Sequence, residues 1–219
     1  YLFKVEVSLG KRYTYANERE KIMAKRLYAM REQLPAFCED FFVGIESQTS
    51  ILSRLNYAYD LNIFFDYLLK NVRTFKDYTD VHEFVCEDLN KITLGNLEAY
   101  MEYLSYFEYG GKEHTNGEKG KSRKISTVRT FFKYYFNHDR IPSNVSAKLT
   151  MPKQHDKDII RLEKREVERI LDAAETDEGM NDRQKKFQRN TRARDFALVS
   201  LLLGTGIRVS ECVGLNVSD

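Results

Sequence analysis

The strongest chemical signal in the sequence is one arginine, Arg208, directly after a Gly-Thr-Gly turn. An almost wholly apolar stretch, 196–203, leads into the turn, and an amphipathic stretch follows it. The arginine therefore stands at the expected start of a helix, where free backbone N–H groups already favour an anion. A guanidinium is a permanently charged, forked donor that matches two phosphate oxygens. We predict that Arg208 binds a phosphate; the alternative is an ordinary surface arginine.

A carboxylate follows this arginine at a helical spacing. Glu211 lies three residues after Arg208, on the same face of the predicted helix. We predict that it supports catalysis by holding the guanidinium in place. The alternative is an ordinary first-turn acid, which the helix dipole favours.

A second candidate site is a basic run in the middle of the chain. Residues 119–133 include six cations and no acid, with hydroxyl side chains interleaved. Such a run can follow a phosphate backbone. The pattern predicts a polar, glycine-containing loop over 109–124 that leads into a helix from about Ser126; the alternative function is a solvated loop without a ligand. The predicted DNA-binding residues are Lys119, Lys121, Ser122, Arg123, Lys124, Thr127, Arg129 and Lys133.

Another basic run, 183–194, also contains six cations. It falls in a predicted charged loop, 175–192, ahead of a predicted buried helix, 195–203. We interpret this second run as a flexible surface loop, because solvated charge runs are common on protein surfaces.

Composition limits the class of protein. The chain has 219 residues, of which 42% are hydrophobic and 31% charged, with only 3 prolines. These values favour a mainly helical protein with a sizeable core. The net charge of +2 is too small to argue for nucleic-acid binding, so that case depends on where the charges lie. No apolar run is long enough to cross a membrane, and no membrane partner is expected.

Cysteine and histidine usage predicts neither a metal site nor another cofactor. The cysteines Cys38, Cys86 and Cys212 are far apart, and we interpret them as reduced core thiols of a cytoplasmic protein. The four histidines are too scattered for a zinc site.

The elements that must position these residues are predicted to be almost all helical. Strand signals are nearly absent, apart from a partly alternating pattern in 1–10. Two prolines and a polar stretch mark 139–160 as the linker region. Helices are predicted over 17–33, from a cap at Thr49 or Ser50 to about Lys70, from Thr93 through Leu104, from about Ser126, and over 163–174.

Four segments, in order along the chain, carry a resemblance to a known family. They are Tyr57, Asp60, Leu61, Phe64 and Leu68; Ile92-Thr93 with Leu97, Tyr100 and Leu104; Ser126 to Asn144; and Glu166 onward, ending in the string T-G-I-R-V-S-E-x-x-x-L from Thr205 to Leu215. Together they resemble the tyrosine recombinases, the family of phage integrases and Xer-type recombinases. The last string is the most specific, because it resembles the family's first catalytic-arginine motif.

The resemblance implies a mainly α fold with two domains. The first is a helical, SAM-like core-binding domain, and the second is the truncated, helical first part of a tyrosine-recombinase catalytic domain. The expected boundaries are an N-terminal helical extension at 1–45, the core-binding domain at 46–152, a linker at 153–162 and an incomplete catalytic domain at 163–219.

The resemblance also implies a function, site-specific DNA recombination or the integration of a mobile element. Such enzymes cleave a DNA strand through a tyrosine and leave a 3′-phosphotyrosyl link, without a metal. The implied partners are double-stranded DNA and further copies of the chain, as a tetramer on DNA at full length. The family's catalytic lysine, second arginine and nucleophilic tyrosine are expected beyond Asp219. The chain is therefore expected to be a fragment that binds DNA without cleaving it.

Two alternatives from other classes stay open at this point. One is a helical DNA-binding regulator that uses the same basic run without catalysis. The other is a helical protein-interaction module, which would show no salt-dependent affinity for DNA.

Overall fold

A computed structural model describes residues 18–152, 161–176 and 179–216. These residues fall into two compact units, 18–152 and the residues from 161 onward. The predicted strand pattern in 1–10 and most of the predicted linker lie outside the described residues. The described part is mainly helical, as predicted, while the exact domain boundaries stay a prediction.

The first unit contains five α-helices and one hairpin. Short 3₁₀ turns connect α3 to α4 and follow α5. The elements are α1 (Glu18–Arg31), α2 (Cys38–Gly44), α3 (Ile51–Asn71), α4 (Leu94–Tyr103), β1 (Tyr106–Tyr109), β2 (Lys112–Thr115) and α5 (Glu118–Asn137).

Side-chain caps fix the starts of two of these helices where the sequence predicted them. The Ser50 hydroxyl accepts a hydrogen bond from the Ser53 backbone N–H at 3.1 Å and begins α3. The Thr93 hydroxyl accepts one from the Asn96 N–H at 3.2 Å and begins α4. Each cap satisfies a backbone donor that has no partner within its helix.

Aromatic side chains from α3, α4 and α5 fill the centre of the first unit. Phe64 on α3 lies with its ring centroid 5.1 Å from that of Tyr100 on α4. Phe65 lies edge-on to Phe131 of α5 at 6.0 Å. All four rings are fully buried. Burial of this much apolar surface is what holds α5 against α3.

The described part of the predicted N-terminal extension packs into this same core. Leu27 of α1 and Phe41 and Phe42 of α2 belong to one hydrophobic cluster with the residues of α3 and α5. The buried amide of Asn62 on α3 donates to the Met30 carbonyl at 2.8 Å. Residues 18–45 are therefore part of the first unit.

The predicted loop over 109–124 is wrong in two respects. A β-hairpin forms instead, with Tyr109 paired to Lys112. The two residues between them, Gly110 and Gly111, both have positive φ, 60° and 71°, which suits the tight turn of a two-residue hairpin. After the hairpin, α5 already begins at Glu118. The basic run therefore lies on a helix throughout.

The second unit consists of α6 (Lys164–Glu175), α7 (Asp182–Thr205) and the short α8 (Val209–Val213). The predicted loop over 175–192 is wrong from Asp182 onward. Asn181 and Gln184 exchange two hydrogen bonds of 2.9 Å between side chain and backbone, and this capping box starts the helix early.

The described side chains of the second unit are more exposed than the prediction had them. The helical stretch 195–203 was expected to be buried, but its residues are half-buried or exposed. Among the described residues of this unit, only Gln188 and Cys212 have buried side chains. All three cysteines of the chain are free and buried, as predicted.

Candidate functional site

The helix α5 places several of the predicted DNA-binding residues on one outward face. Lys119 and Lys133 are exposed, and Arg129 is half-buried at the edge of the face. Two hydroxyl residues absent from the predicted set, Ser126 and Thr130, lie between them. The spacings of three, four and seven residues bring these side chains into one stripe. We call the five residues the outer face of α5.

Arg123 lies beside this face, but its guanidinium is paired with a carboxylate on another helix. Its Nη1 donates to Oδ2 of Asp60 at 2.6 Å, and its Nη2 donates to Oδ1 at 2.8 Å. Asp60 on α3 is fully buried, while 46% of the Arg123 side chain is exposed. This forked, bidentate pair fixes both the distance and the orientation of the two groups.

Three of the predicted DNA-binding side chains point into the protein, which departs from the prediction. Ser122, Lys124 and Thr127 are 5%, 6% and 2% exposed. They lie on the inner face of a helix that begins earlier than the sequence suggested. The Thr127 hydroxyl donates to Oδ2 of Asp60 at 2.8 Å. These three residues do not line the outward surface.

The buried ammonium of Lys124 continues the polar network toward the hairpin. Its Nζ donates to Oδ1 of Asn116 at 3.1 Å, and the Asn116 amide donates to the Leu104 carbonyl at 2.8 Å. Burial lowers the pKa of Lys124, and the nearby charge of Asp60 opposes that effect.

The ionisation of Asp60 reflects two competing effects. Burial raises its pKa above the ordinary range, and the charge of Arg123 and the hydroxyl of Thr127 pull it back down. Desolvation is the larger effect. The carboxylate is therefore strongly dependent on its donors.

The side chain of Lys121 points away from the outer face of α5. Its Nζ donates to the Ser105 hydroxyl at 2.5 Å, and the side chain is half-buried. The residue stabilises the approach of α5 to the segment after α4, and it stands apart from the outward cations.

In the second unit, local backbone geometry positions Arg208. Gly206 ends α7 in the left-handed region with φ 69°, a conformation that favours glycine. The chain then turns, and Arg208 becomes the residue that precedes α8. Since α8 has only five residues, its dipole adds less than the sequence suggested.

Glu211 contacts Arg208, as expected from the hypothesis that its carboxylate holds the guanidinium in place. Its Oε2 accepts from the Arg208 backbone N–H at 2.8 Å, and its Oε1 accepts from Nη1 at 2.8 Å. These bonds, the backbone one first, lower the pKa of Glu211. The Arg208 side chain is 81% exposed, so the guanidinium is held at one corner and open elsewhere. The catalytic role of both residues stays a prediction.

The second basic run lies on the first half of α7. Arg183, Lys186 and Arg189 are exposed, and Arg194 pairs with its neighbour Asp195 at 2.6 Å. The run therefore forms a charged helical surface, and our interpretation of it as a flexible loop is wrong.

In the described ranges, no group of three or more His, Cys, Asp or Glu side chains is arranged to hold a metal ion. None of the described helices is long and apolar enough to cross a membrane.

Comparison with curated proteins relates this sequence to one family. A tyrosine recombinase XerC of Caldanaerobacter subterraneus subsp. tengcongensis is 27% identical over 169 residues, 74% of this chain and 42% of that protein. A tyrosine recombinase XerC of Staphylococcus saprophyticus is 28% identical over 179 residues, 82% of this chain and 50% of that protein. The chain is similar in sequence to tyrosine recombinases over most of its length.

The tyrosine recombinase resemblance seen in the motifs is thereby confirmed. A third relative, the tyrosine recombinase XerC of Leptospira interrogans, is 29% identical over 119 residues, 54% of this chain and 35% of that protein. The chain spans at most half the length of these three relatives. No family model matches this chain, and no solved structure matches it.

Sequence reasoning missed the partner of Arg123. Asp60 belongs to the first of the four segments that carry the family resemblance, and no role was assigned to it. A signal was present, because an acid inside the apolar run of α3 needs a buried donor. The sequence alone did not show which donor, since 63 residues separate the two partners.

Proposed function

We propose that this chain works in site-specific DNA recombination. It binds duplex DNA through the outer face of α5, and in the full-length protein it supplies Arg208 as a phosphate ligand during strand cleavage. It assembles with further copies of itself on the DNA. The proposal is supported by the similarity to curated tyrosine recombinases and by the placement of charge on α5.

The outer face of α5 is the observation that carries the proposal. Lys119, Arg129 and Lys133 project from one side of the helix, with Ser126 and Thr130 between them. Cations on such a stripe can neutralise successive phosphates, and hydroxyl groups can donate to the same oxygens. If about three cations contact DNA, log affinity falls with log salt at a slope of roughly −3.

A salt titration with a charge-matched control tests the DNA interface. The double variant Lys119→Ala with Lys133→Ala should weaken binding to all duplex sequences and flatten the slope by about two units. The control is Lys25→Ala with Arg26→Ala on α1, which removes the same charge from two exposed residues. Equal effects of the two double variants on slope and affinity would contradict the assignment of the outer face.

Arg208 is proposed to act on charge that develops in the reaction. Attack on a phosphodiester builds negative charge on the non-bridging oxygens, and a guanidinium stabilises it with two parallel hydrogen bonds. Glu211 restrains the guanidinium from one corner and leaves its exposed part free for the phosphate. Arg208 therefore contributes to the transition state more than to initial binding.

We further propose that these 219 residues bind DNA without cleaving it. The family's second arginine lies in a His-x-x-Arg motif, and none of the four histidines of this sequence has an arginine three residues later. A nicked suicide substrate that traps covalent protein–DNA adducts tests the proposal. Binding without an adduct is expected, and an adduct formed by this chain would overturn it.

A further inference from the structure

The charge of Asp60 depends on donors from α5. The carboxylate is fully buried, and it accepts hydrogen bonds from both terminal nitrogens of Arg123 and from the Thr127 hydroxyl. A buried carboxylate without such donors is strongly unfavourable. Two of its three described hydrogen bonds come from one guanidinium.

This pairing conflicts with a role of Arg123 as a phosphate ligand. A guanidinium has five N–H donors in a fixed plane, and the forked pair with Asp60 uses one on each terminal nitrogen. To turn the fork toward a phosphate, Arg123 would have to abandon the buried carboxylate. The loss of donors at a desolvated anion outweighs a contact formed at the solvated surface of DNA.

The same network helps to fix the rotation of α5 about its axis, together with the buried rings of Phe131 and Phe132 on the same helix. Arg123 and Thr127 bind α3 through Asp60, and Lys124 binds Asn116 beyond the hairpin. These anchors lie within little more than one helical turn. A shift of α5 by one residue would rotate it by about 100° and would carry Lys119 and Lys133 away from their outward direction.

We infer that Arg123 is a positioning residue: clasped by Asp60, it orients the outer face of α5 toward DNA and does not itself hold a phosphate. This inference rests on the proposed DNA binding. It separates the cations of α5 into a group that contacts DNA and a group that orients the helix.

The variant Arg123→Lys distinguishes positioning from contact, because it keeps the charge and loses the fork. A lysine still binds phosphate as a point charge, so a contact residue would retain affinity within about twofold. If Arg123 is a positioning residue, the substitution breaks its bidentate pair with Asp60, which we call the clasp. We expect affinity for duplex DNA to fall about tenfold, with the salt slope unchanged.

The variant Asp60→Asn gives a test of opposite sign. It removes a negative charge close to the interface and releases the Arg123 guanidinium. Were Arg123 a phosphate ligand, affinity would rise. We expect affinity to fall instead, and the double variant Asp60→Asn with Arg123→Lys to fall by less than the product of the single effects, since both changes break one clasp.

A third variant reports on the clasp without altering any charge. Thr127→Val removes a hydroxyl that is 2% exposed and therefore out of reach of DNA. We expect weaker binding with an unchanged slope. This variant also decides the matter if circular dichroism shows that Arg123→Lys or Asp60→Asn fails to fold.

Lys133→Ala completes the experiment as the contact reference. It should flatten the slope by about 0.9, while the three clasp variants leave the slope as it is. If Arg123→Lys or Thr127→Val binds like the wild type, or if Asp60→Asn binds more tightly, the inference is overturned. If the wild-type chain shows no salt-dependent affinity for duplex DNA, the proposed function itself is overturned.

Discussion

The two units place their key arginines by different means. Arg123 is oriented by a carboxylate that is 63 residues away in the sequence and fully buried in the fold. Arg208 is oriented by a carboxylate three residues away on an exposed turn. The first arginine depends on the packing of α3 against α5, whereas the second depends on one left-handed glycine and one short helix.

This difference between the two arginines shows in which unit stability and function are coupled. In the first unit, a change in the core moves the surface that we propose for DNA, because the buried network connects them. In the second unit, the candidate catalytic arginine depends mainly on its neighbours in the chain.

The largest contrast is expected for phenylalanine truncation. Phe64→Ala removes a fully buried ring from the centre of the first unit and should reduce the free energy of unfolding by about 3–5 kcal/mol. Phe187→Ala on α7, where 71% of the side chain is exposed, should change it by less than about 0.5 kcal/mol. Urea unfolding monitored by circular dichroism measures both, and similar losses would break the comparison.

The two arginines themselves give the next largest contrast. Arg123→Ala leaves the buried Asp60 without two donors, and we expect a loss of about 2–3 kcal/mol, toward the low end for a buried pair because Arg123 is half-exposed. Arg208→Ala should leave the stability unchanged, since its partner is exposed. A destabilised Arg208→Ala protein would show that the second unit depends on this ion pair.

Loss of a helix cap gives a smaller comparison between the two units. Ser50→Ala removes the cap of α3, and Asn181→Ala removes that of α7; each should cost about 1 kcal/mol. Hydrogen exchange separates them. We expect Ser50→Ala to raise exchange across the first unit, and Asn181→Ala to raise it in α7 alone. Protection lost only near residue 50 would count against a cooperative first unit.

The smallest effect is a pH dependence with opposite signs in the two units. Burial raises the pKa of Asp60. The stability advantage of wild type over Asp60→Asn should therefore be present below the ordinary Asp pKa of about 3.9. It should decline as pH rises through the pKa of Asp60 in the folded protein. Hydrogen bonds from Arg208 lower the pKa of Glu211. The stability that wild type holds relative to Glu211→Gln should therefore decline as pH falls.

Unfolding and hydrogen exchange measured across the acid pH range follow both titrations. The first difference is read from global unfolding, and the second from exchange in α8. A difference for Asp60→Asn that grows with pH would mean that Arg123 and Thr127 outweigh desolvation at this carboxylate.

The sequence predicted those parts of the fold that local chemistry decides. The caps at Ser50 and Thr93 and the apolar face of α3 are local signals, and so are the glycine and arginine before α8. The hairpin was missed because its strands have four residues each and bury little beyond Phe107. The Gly-Gly pair between them was the available signal.

The candidate site was predicted less completely because it depends on a helix phase. On the helix that begins at Glu118, Ser122, Lys124 and Thr127 face inward and Ser126 faces outward. Composition of the basic run gave the charges but not their directions. The packing of α5 against α3, which includes the contact with Asp60, decides which cations face away from the core.

The unequal burial of Asp60 and Arg123 also constrains how this pair can change during evolution. Loss of the acid leaves an arginine that water can partly solvate, whereas loss of the arginine leaves an anion enclosed in the core. A lineage that replaces the pair by uncharged residues should therefore lose the acid first. Homologues that retain only the arginine should outnumber those that retain only the acid.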